Sequence, residues 1–224
     1  MRMLYVVSTP IGNLKDITLR ALDILASVDL VVSEDTRTTQ KLLKRYEIKA
    51  RLLSYNDYNK RTRTKQILNK LEAGCDVALV SESGTPAISD PGYYLIRECI
   101  KHGFEVVPVP GACAVTAALV ASGLPTDSFT FIGFLPKKKG KKHKLLEELK
   151  NQQTTVVFFE SPHRLAQTLE SLRLLYPEWW LAVCRELTKL HEEVVRGTVA
   201  EVAEKLSKVK PRGEYTLVLS PKHP

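Results

Sequence analysis

The sequence predicts an α/β protein of two domains. Strand and helix patterns alternate through the first half of the chain, which is typical of a parallel sheet covered by helices on both faces. In that half, three loops of small and turn-forming residues each follow directly after an apolar strand. The second half has fewer and longer elements. We therefore expect an N-terminal domain over residues 1–125 with a parallel sheet and a C-terminal domain over residues 126–224 with a mixed sheet.

Each element of the first half follows from a local pattern. Short apolar runs predict strands over Leu4–Val7, Leu30–Ser33, Arg51–Tyr55, Asp76–Val80 and Glu105–Pro108. Apolar residues at helical spacing predict helices over Thr18–Ser27, Thr38–Tyr46, Arg63–Ala73, Pro91–His102 and Ala114–Ser122. We expect the fourth helix to begin with Asp90 as its N-cap and Pro91 at its first position, where these residue types are favoured.

The second half is interpreted in the same way. Strands are predicted over Ser128–Phe134, Thr154–Phe159, Trp179–Cys184 and Glu214–Ser220. Helices are predicted over Lys144–Lys150, over Pro162–Tyr176 and from Thr198 to about Val209. The last of these begins with a capping box, in which Thr198 and Glu201 each satisfy a backbone donor of the first turn.

Composition limits the class of protein. The chain has 224 residues, of which 44% are hydrophobic and 26% charged, as in ordinary globular proteins. No apolar run approaches the roughly 18 residues that a membrane helix needs, and no signal peptide is recognised at the N-terminus. The four cysteines and five histidines are scattered without metal-binding or redox spacing. We therefore expect a cytoplasmic protein with reduced cysteines, no metal site and no membrane partner.

The loop SESGTPAISDPG, which starts at Ser81, is the most informative segment. It follows a buried strand, and Gly84 and the small hydroxyl residues would let a ligand approach the backbone closely. The loop has neither a Walker lysine nor a G-x-G-x-x-G motif, which argues against an ordinary phosphate cradle. The loops at residues 8–13 and 109–112 have the same design. In a parallel sheet all three would lie at the carboxyl edge, where open α/β sheets bind ligands.

Charged residues also follow two of the predicted strands. Glu34, Asp35 and Arg37 follow the second strand, where they could bind a polar substrate or accept a proton. The alternative is a helix N-cap with a local ion pair. Glu160 and Arg164 follow an apolar strand of the second half and are expected to point into the mouth of a cleft between the domains. Because no nucleophile motif is present, we expect transfer between two bound molecules, assisted by positioning and desolvation.

Basic residues are concentrated in one stretch. The net charge is +8, and five lysines follow the segment FIGFLP within six positions. This placement predicts a basic arm at the end of an aromatic strand, suited to a nucleic acid; the alternative is a solvated loop. The five residues are Lys137, Lys138, Lys139, Lys141 and Lys142.

Several motifs occur together in a characteristic order. They are STPIGNLKDIT from Ser8, EDTR from Glu34, SESGTPAISDPG from Ser81, PVPGACAVTAALVASGLPTD from Pro108, FIGFLP from Phe131, FFESPHR from Phe158 and RELTK from Arg185. With these motifs the chain resembles the tetrapyrrole methylase superfamily along nearly its whole length. Members are S-adenosyl-L-methionine enzymes of two α/β domains, and the resemblance implies that the cofactor lies in the cleft between the domains.

The resemblance also implies site residues for this cofactor. Its methionine end would lie near Pro10, Ile11, Gly12, Ser83, Gly84, Thr85 and Ile88. Its adenine would lie near Phe159, Glu160 and Leu187. Within the superfamily the chain is similar to members that methylate the 2′-hydroxyl of a cytidine in 16S rRNA. The implied partner is 16S rRNA or the small ribosomal subunit, and the implied assembly is a homodimer. For this reaction the candidate base is Glu34 or Asp35, and Arg37 would position a phosphate or the carboxylate.

The chain departs from the family pattern at three places. Glu82 and Ser83 replace the usual Asp and Ala, and Ala112 replaces a proline. Many relatives continue beyond the last strand into a small helical extension thought to help hold RNA, so we expect RNA affinity to differ from theirs. Two alternatives stay open. One is a C-methyltransferase acting on a tetrapyrrole, and the other is a non-catalytic ribosome-binding or assembly protein.

Overall fold

The computed structural model describes residues 2–222, in which two five-stranded sheets are present. The chain divides into two compact units after Cys113. Helix α5 (Ala114–Ser122) belongs to the second unit, because it packs against strands of the second sheet. The compact units thus divide before α5, whereas the sequence places the junction after it; the boundary at residue 125 stays a prediction of domain organisation.

The first unit has the predicted parallel sheet. Its strands are β1 (Met3–Val7), β2 (Leu30–Ser33), β3 (Leu52–Ser54), β4 (Val77–Val80) and β5 (Glu105–Val109), in the order β3-β2-β4-β1-β5. Its helices are α1 (Leu19–Ser27), α2 (Thr36–Arg45), α3 (Lys60–Glu72) and α4 (Tyr93–Lys101), with a short 3₁₀ turn at Leu14–Asp16. All neighbouring strands are parallel, which confirms the predicted fold class of this half.

Helices cover both faces of this sheet because successive strand residues point to opposite sides. Two buried apolar clusters result. One joins the strands to α3 and α4 and includes Leu4, Val32, Ile67, Leu79 and Leu95. The other joins the strands to α1 and α2 and includes Leu25, Val31, Leu43, Ala78 and Val80.

The strand register places the loops together. Val7 of β1 lies opposite Val80 of β4 and Val109 of β5, and Ser33 of β2 also lies opposite Val80. These four strands therefore end at one level. The loops beginning at residues 8, 34, 81 and 110 leave the same edge of the sheet.

The start of the fourth helix was predicted wrongly. Helix α4 begins at Tyr93, with Gly92 as its N-cap at φ +144°, rather than at Asp90 and Pro91. The loop before it is held in an irregular conformation, with positive φ at Ala87 and Ser89 as well. A backbone with repeated positive φ does not continue into the first turn of a right-handed helix. The loop is therefore longer than the sequence pattern indicates.

The second unit contains a mixed sheet, as predicted. Its strands are β6 (Phe129–Phe134), β7 (Thr155–Glu160), β8 (Trp180–Arg185), β9 (Glu193–Thr198) and β10 (Tyr215–Ser220), in the order β6-β7-β10-β8-β9. Only β6 and β7 pair in parallel. Besides α5, its helices are α6 (Lys139–Glu148), α7 (Pro162–Leu175) and α8 (Val199–Ser207).

Two features of this unit differ from the sequence prediction. Strand β9 was not predicted, because Val194 and Val195 are its only two consecutive apolar residues. Helix α6 begins at Lys139 instead of Lys144, so Lys139, Lys141 and Lys142 are helical. The prediction that the lysine stretch forms an arm was therefore wrong. From residue 2 to residue 222, no helix is long and apolar enough to cross a membrane.

The central strand β10 gives a test of the packing. Leu217 is fully buried between Phe158 and Val183 of its neighbouring strands. We predict that Leu217→Ala lowers the free energy of unfolding by about 2–5 kcal/mol, because it removes buried methyl groups and leaves a cavity. The control is Leu174→Ala at an exposed position of α7, which should change the free energy of unfolding by less than about 0.5 kcal/mol. Urea unfolding measures the free energy for both variants, and equal effects would contradict the burial of Leu217 in the core.

Candidate functional site

The first and third loops of the parallel sheet are joined through their backbones. The amide of Thr9 donates to the carbonyl of Gly84 at 2.9 Å, and the amide of Gly84 donates to the carbonyl of Thr9 at 3.1 Å. The hydroxyl of Ser81 donates to the same Gly84 carbonyl at 2.8 Å. These bonds fix the start of the SESGTPAISDPG loop against the loop that follows β1.

The loop after β5 is joined to the same assembly by side chains. The hydroxyls of Ser8 and Thr85 are 3.0 Å apart, and Thr85 donates to the carbonyl of Ala112 at 3.2 Å. A Cβ at Gly111 would lie 2.9 Å from the Cβ of Ser8, so only glycine fits there. Three loops that are far apart in sequence thus form one hydrogen-bonded structure.

Gly84 is required by its backbone and by its neighbours. Its φ is +87°, a conformation that costs other residue types free energy. A Cβ at this position would lie 3.2 Å from the Cγ2 of Ile11 and 3.7 Å from the carbonyl oxygen of Ala112. The side of Gly84 on which a Cβ would lie therefore faces the neighbouring loops, and the close approach of a ligand to the Gly84 backbone stays a prediction. Positive φ at Ala87 and Ser89 continues this strain, which is typical of functional loops.

The predicted methionine-binding residues differ in what they expose. Pro10, Ile11 and Gly84 are buried, so they can contribute shape and backbone rather than side-chain contacts. Ser83 and Thr85 are half-buried, and Gly12 and Ile88 are exposed. All seven belong to the two loops that Thr9 and Gly84 connect. Their role toward a cofactor stays a prediction.

Glu34 lies at the end of β2 among other acids. Partial desolvation, followed by the carboxylates of Glu82, Asp57 and Asp35, raises its pKa above the ordinary value. A carboxylate with a raised pKa is a better proton acceptor near neutral pH than an ordinary one. The influence of Glu82 and Asp57 was missed from the sequence, because they follow different strands and only the parallel register brings them near Glu34.

Asp35 has a different environment. Its Oδ1 accepts a hydrogen bond from the amide of Arg37 at 2.8 Å, which makes it the N-cap of α2. The Arg37 guanidinium contacts both carboxylate oxygens, at 3.2 and 3.0 Å. Hydrogen bonds from Arg37 hold the pKa of Asp35 below its usual range. The geometry thus separates the two candidate bases and favours Glu34.

The charge of this edge limits which ligands fit. Acidic groups surround Glu34, whereas the guanidinium of Arg37 is already paired with Asp35. The acidic surroundings of Glu34 favour a cation, such as a sulfonium with an ammonium group. In the described part of the chain, these acids do not form a group of three ligands that could hold a metal ion.

Glu160 forms a buried network in the second unit. Its carboxylate accepts from Arg164 at 2.6 Å, from the Ser161 amide at 2.7 Å and from the Thr168 hydroxyl at 2.6 Å. Its side chain is 0% exposed, so the expectation that it points into the mouth of a cleft was wrong. Arg164 also donates to the carbonyl of Leu135 at 2.8 Å and thereby fixes the end of β6. Any contact of Glu160 with an adenine would have to come from its backbone.

Two further residues were expected at the adenine. Phe159 is half-buried beside two other rings, Phe131 at 5.0 Å and Phe134 at 5.4 Å between centroids. Leu187 is half-buried between Glu186 and Thr188, both of which have positive φ. Their role toward a cofactor also stays a prediction.

The five lysines of the basic stretch separate into two kinds. Lys137, Lys138, Lys139 and Lys141 are exposed. Lys142 is only 5% exposed and donates to Gln167 at 3.3 Å and to Thr168 at 3.5 Å. Burial lowers its pKa, and the carboxylate of Glu160 opposes that effect. Lys142 therefore attaches α6 to α7 rather than extending into solvent, which the sequence pattern did not reveal.

Comparison with known proteins identifies the family. The model of the tetrapyrrole (corrin/porphyrin) methylases matches residues 3–203. Ribosomal RNA small subunit methyltransferase I of Thermotoga maritima is 49% identical over 222 residues, which cover 99% of this chain and 100% of the relative. The protein of that name from Halalkalibacterium halodurans is 48% identical over 216 residues, which cover 96% of this chain and 75% of the relative.

Solved structures show the same fold. Cobalt precorrin-4 methyltransferase, a cobalamin biosynthetic enzyme, has a TM-score of 0.71 at 19% identity and covers 98% of this chain and 95% of its own. Uroporphyrin-III C-methyltransferase of Thermus thermophilus, solved with S-adenosylhomocysteine, has a TM-score of 0.67 at 21% identity and covers 99% and 98%. The sheets, the motifs and the relatives agree, and the chain belongs to the tetrapyrrole methylase family.

Proposed function

We propose that this protein transfers a methyl group from S-adenosylmethionine to the 2′-hydroxyl of a cytidine in 16S rRNA of the small ribosomal subunit. The choice of substrate is carried by one observation, the near-full-length likeness to proteins named ribosomal RNA small subunit methyltransferase I. The tetrapyrrole alternative is supported by the description of the family and by solved structures of 19–22% identity, and a likeness at that identity concerns the fold.

The loops at residues 8–13, 81–92 and 109–112, here named the bridged loops, fit this cofactor. When bound, S-adenosylmethionine supplies an activated methyl group on a positively charged sulfur. The carboxylates around Glu34 favour such a cation. Pro10, Ile11 and Ile88 supply apolar surface, and Ser83 and Thr85 supply hydroxyls. The adenine role expected of Phe159, Glu160 and Leu187 is proposed on the resemblance alone, through the backbone in the case of Glu160.

Glu34 is the proposed general base. A ribose hydroxyl is a weak nucleophile at neutral pH, so a base that removes its proton as the new bond forms should accelerate the reaction. The raised pKa of Glu34 suits that role, whereas Asp35 is held by the helix cap and by Arg37. Asp35 is proposed to position Arg37, and the exposed guanidinium of Arg37 to contact a phosphate of the RNA.

The exposed lysines are proposed to bind the RNA backbone. Lys137, Lys138, Lys139 and Lys141 occupy the start of α6 and the bend before it. Lys142 is proposed to hold this helix in place through its contacts with Gln167 and Thr168. A cytoplasmic location and a homodimer are proposed from the resemblance, and sedimentation of the purified protein tests the dimer.

A transfer assay tests the function as a whole. Purified protein is incubated with S-adenosylmethionine carrying a labelled methyl group and with small ribosomal subunits, naked 16S rRNA or a porphyrinoid. We expect label in a 2′-O-methylated cytidine of 16S rRNA, mapped by mass spectrometry of digested RNA. Label in the porphyrinoid alone would support the tetrapyrrole alternative. Binding to subunits without any transfer would support the non-catalytic one.

Substitution of Glu34 tests its proposed role as the general base. Glu34→Gln should lower the single-turnover rate of methyl transfer by about a hundredfold, the usual scale for losing a general base. In the wild type the rate should rise with pH as Glu34 loses its proton, with a midpoint above that of an ordinary carboxyl. The matched control is Asp57→Asn, which removes a repelling charge near Glu34 together with the ion pair between Asp57 and Lys60. It should move the midpoint to lower pH and leave the plateau rate unchanged.

Stability distinguishes this role from a structural one. Because folding raises the pKa of Glu34, its ionised form disfavours the folded state. This penalty is absent below the unfolded pKa, develops as the pH rises and is complete above the folded pKa. Glu34→Gln should therefore melt at a higher temperature than the wild type at pH 8 and at the same temperature near pH 3. A lower melting temperature at pH 8 with a normal rate would reject the proposed base.

Substitution of Gly84 tests the hydrogen-bonded connection between the loops after β1 and β4. Gly84→Ala should weaken S-adenosylmethionine binding at least tenfold, because the new Cβ strains a positive φ and presses on Ile11. Gly103→Ala is the control: its φ is +74°, yet its Cβ would meet nothing within 4 Å. It carries the same kind of backbone strain away from the loops and should bind the cofactor normally. Isothermal calorimetry compares them, and equal affinities would remove the loop from the site.

The salt dependence of RNA binding tests the role of the exposed lysines. Replacing Lys137, Lys138 and Lys139 by Ala should lower the slope of log affinity against log salt by about 0.7–0.9 for each lost phosphate contact. The control replaces Lys205, Lys208 and Lys210, three exposed lysines in and after α8, and removes the same charge elsewhere in the unit. Equal slopes for the two triple variants would show that the lysines of α6 make no specific phosphate contacts.

A further inference from the structure

Phe134 is an exposed aromatic residue at the end of an edge strand. It is the last residue of β6, and its surface is 55% exposed. Its ring lies against Phe159 at 5.4 Å between centroids, and Phe159 in turn contacts Phe131 at 5.0 Å. The ring is thus supported from one side by protein and accessible from outside.

The backbone around Phe134 has an irregularity that sets the direction of this side chain. The register between β6 and β7 shifts between Phe131 and Phe134, and Gly133 has a φ of +66°. Bulges of this kind redirect a side chain and are common beside functional sites. On the other side of Phe134, the buried Leu135 is fixed by the hydrogen bond from Arg164 to its carbonyl. The ring is therefore presented by a preorganised segment.

The charges beside Phe134 indicate what the ring would bind. Lys137 follows three residues later, at most about 11 Å along the chain, and Lys138 and Lys139 come next. An aromatic ring beside exposed cations is the combination that binds single-stranded nucleic acid, in which bases stack and phosphates pair. A second copy of the chain fits less well, because a symmetric contact would bring the same lysines together. Free S-adenosylmethionine carries no phosphate for them.

We propose that Phe134 stacks on an unpaired nucleobase of the rRNA substrate while the neighbouring lysines hold its phosphates. This inference rests on the proposed function and extends it from the backbone of the RNA to one of its bases. Sequence-tolerant stacking on an aromatic ring adds affinity that salt does not screen. The ring and the lysines therefore contribute to RNA binding in ways that can be measured separately.

The test uses Phe134→Leu and a matched variant of the same strand. Phe129 lies at the other end of β6 and is 41% exposed, so Phe129→Leu makes the same chemical change away from the lysines. Binding of a labelled oligocytidine of about ten nucleotides is measured by fluorescence anisotropy at several salt concentrations. An abasic ribose-phosphate oligomer of equal length serves as a ligand without bases.

We expect Phe134→Leu to raise the Kd for oligocytidine about tenfold with an unchanged salt slope. The Kd of Phe134→Leu for the abasic oligomer should equal that of the wild type. Phe134→Trp keeps an aromatic ring and should bind oligocytidine as the wild type does. Phe129→Leu should change neither Kd. With small ribosomal subunits as substrate, Phe134→Leu should raise KM and leave kcat within about twofold.

Other outcomes overturn the inference. Equal oligocytidine affinity of the two Leu variants, or equal losses on the abasic oligomer, would show that no base stacks on Phe134. A change only in sedimentation would assign the ring to a contact between copies, and a change only in S-adenosylmethionine affinity would assign it to the cofactor. If the wild type binds oligocytidine through Phe134 but methylates no rRNA, the proposed function fails while the stacking stands.

Discussion

The candidate site of the first unit depends on the two backbone hydrogen bonds between Thr9 and Gly84. They connect loops that are more than 70 residues apart, and Gly84 can form them only because it adopts a φ of +87°. The hydroxyl of Thr85, which also contacts Ser8, then extends the connection to Ala112 in the loop after β5. The network fixes the start of the loop in which Ala87 and Ser89 adopt positive φ. The loops at this edge are preorganised, so the binding of a ligand there would require little further ordering of the backbone.

The second unit depends on one buried carboxylate in a comparable way. Glu160 accepts hydrogen bonds from Arg164, Ser161 and Thr168, and Lys142 reaches the same network through Thr168. Since a buried charge is stable only when paired and hydrogen-bonded, the network specifies how α6, α7 and the end of β6 are attached. The same contacts set the positions of Phe134 and the exposed lysines. The proposed roles of Phe134 and the lysines toward RNA thus depend on the buried network around Glu160.

The sequence predicted most of the fold because local patterns and long-range packing agree there. The parallel sheet follows from apolar runs that alternate with amphipathic helices, and its loops follow from residues such as Gly84. Side-chain environments were harder to predict. Glu34 and Asp35 are adjacent in the sequence, yet one has a raised pKa and the other a lowered one, because acids from other strands face Glu34 while Arg37 holds Asp35. Lys142 appears in the sequence as one of five similar lysines, and only packing against α7 reveals that it is buried.

Amide hydrogen exchange with and without S-adenosylhomocysteine tests the central claim most directly, namely that the bridged loops form the cofactor site. The account predicts that exchange slows in peptides covering residues 8–13 and 81–92. In helix α3 (Lys60–Glu72), which packs on one face of the same sheet, exchange should stay unchanged. Slower exchange in α3 with no change in either loop would contradict the account, because the ligand would then bind away from the carboxyl edge of the sheet.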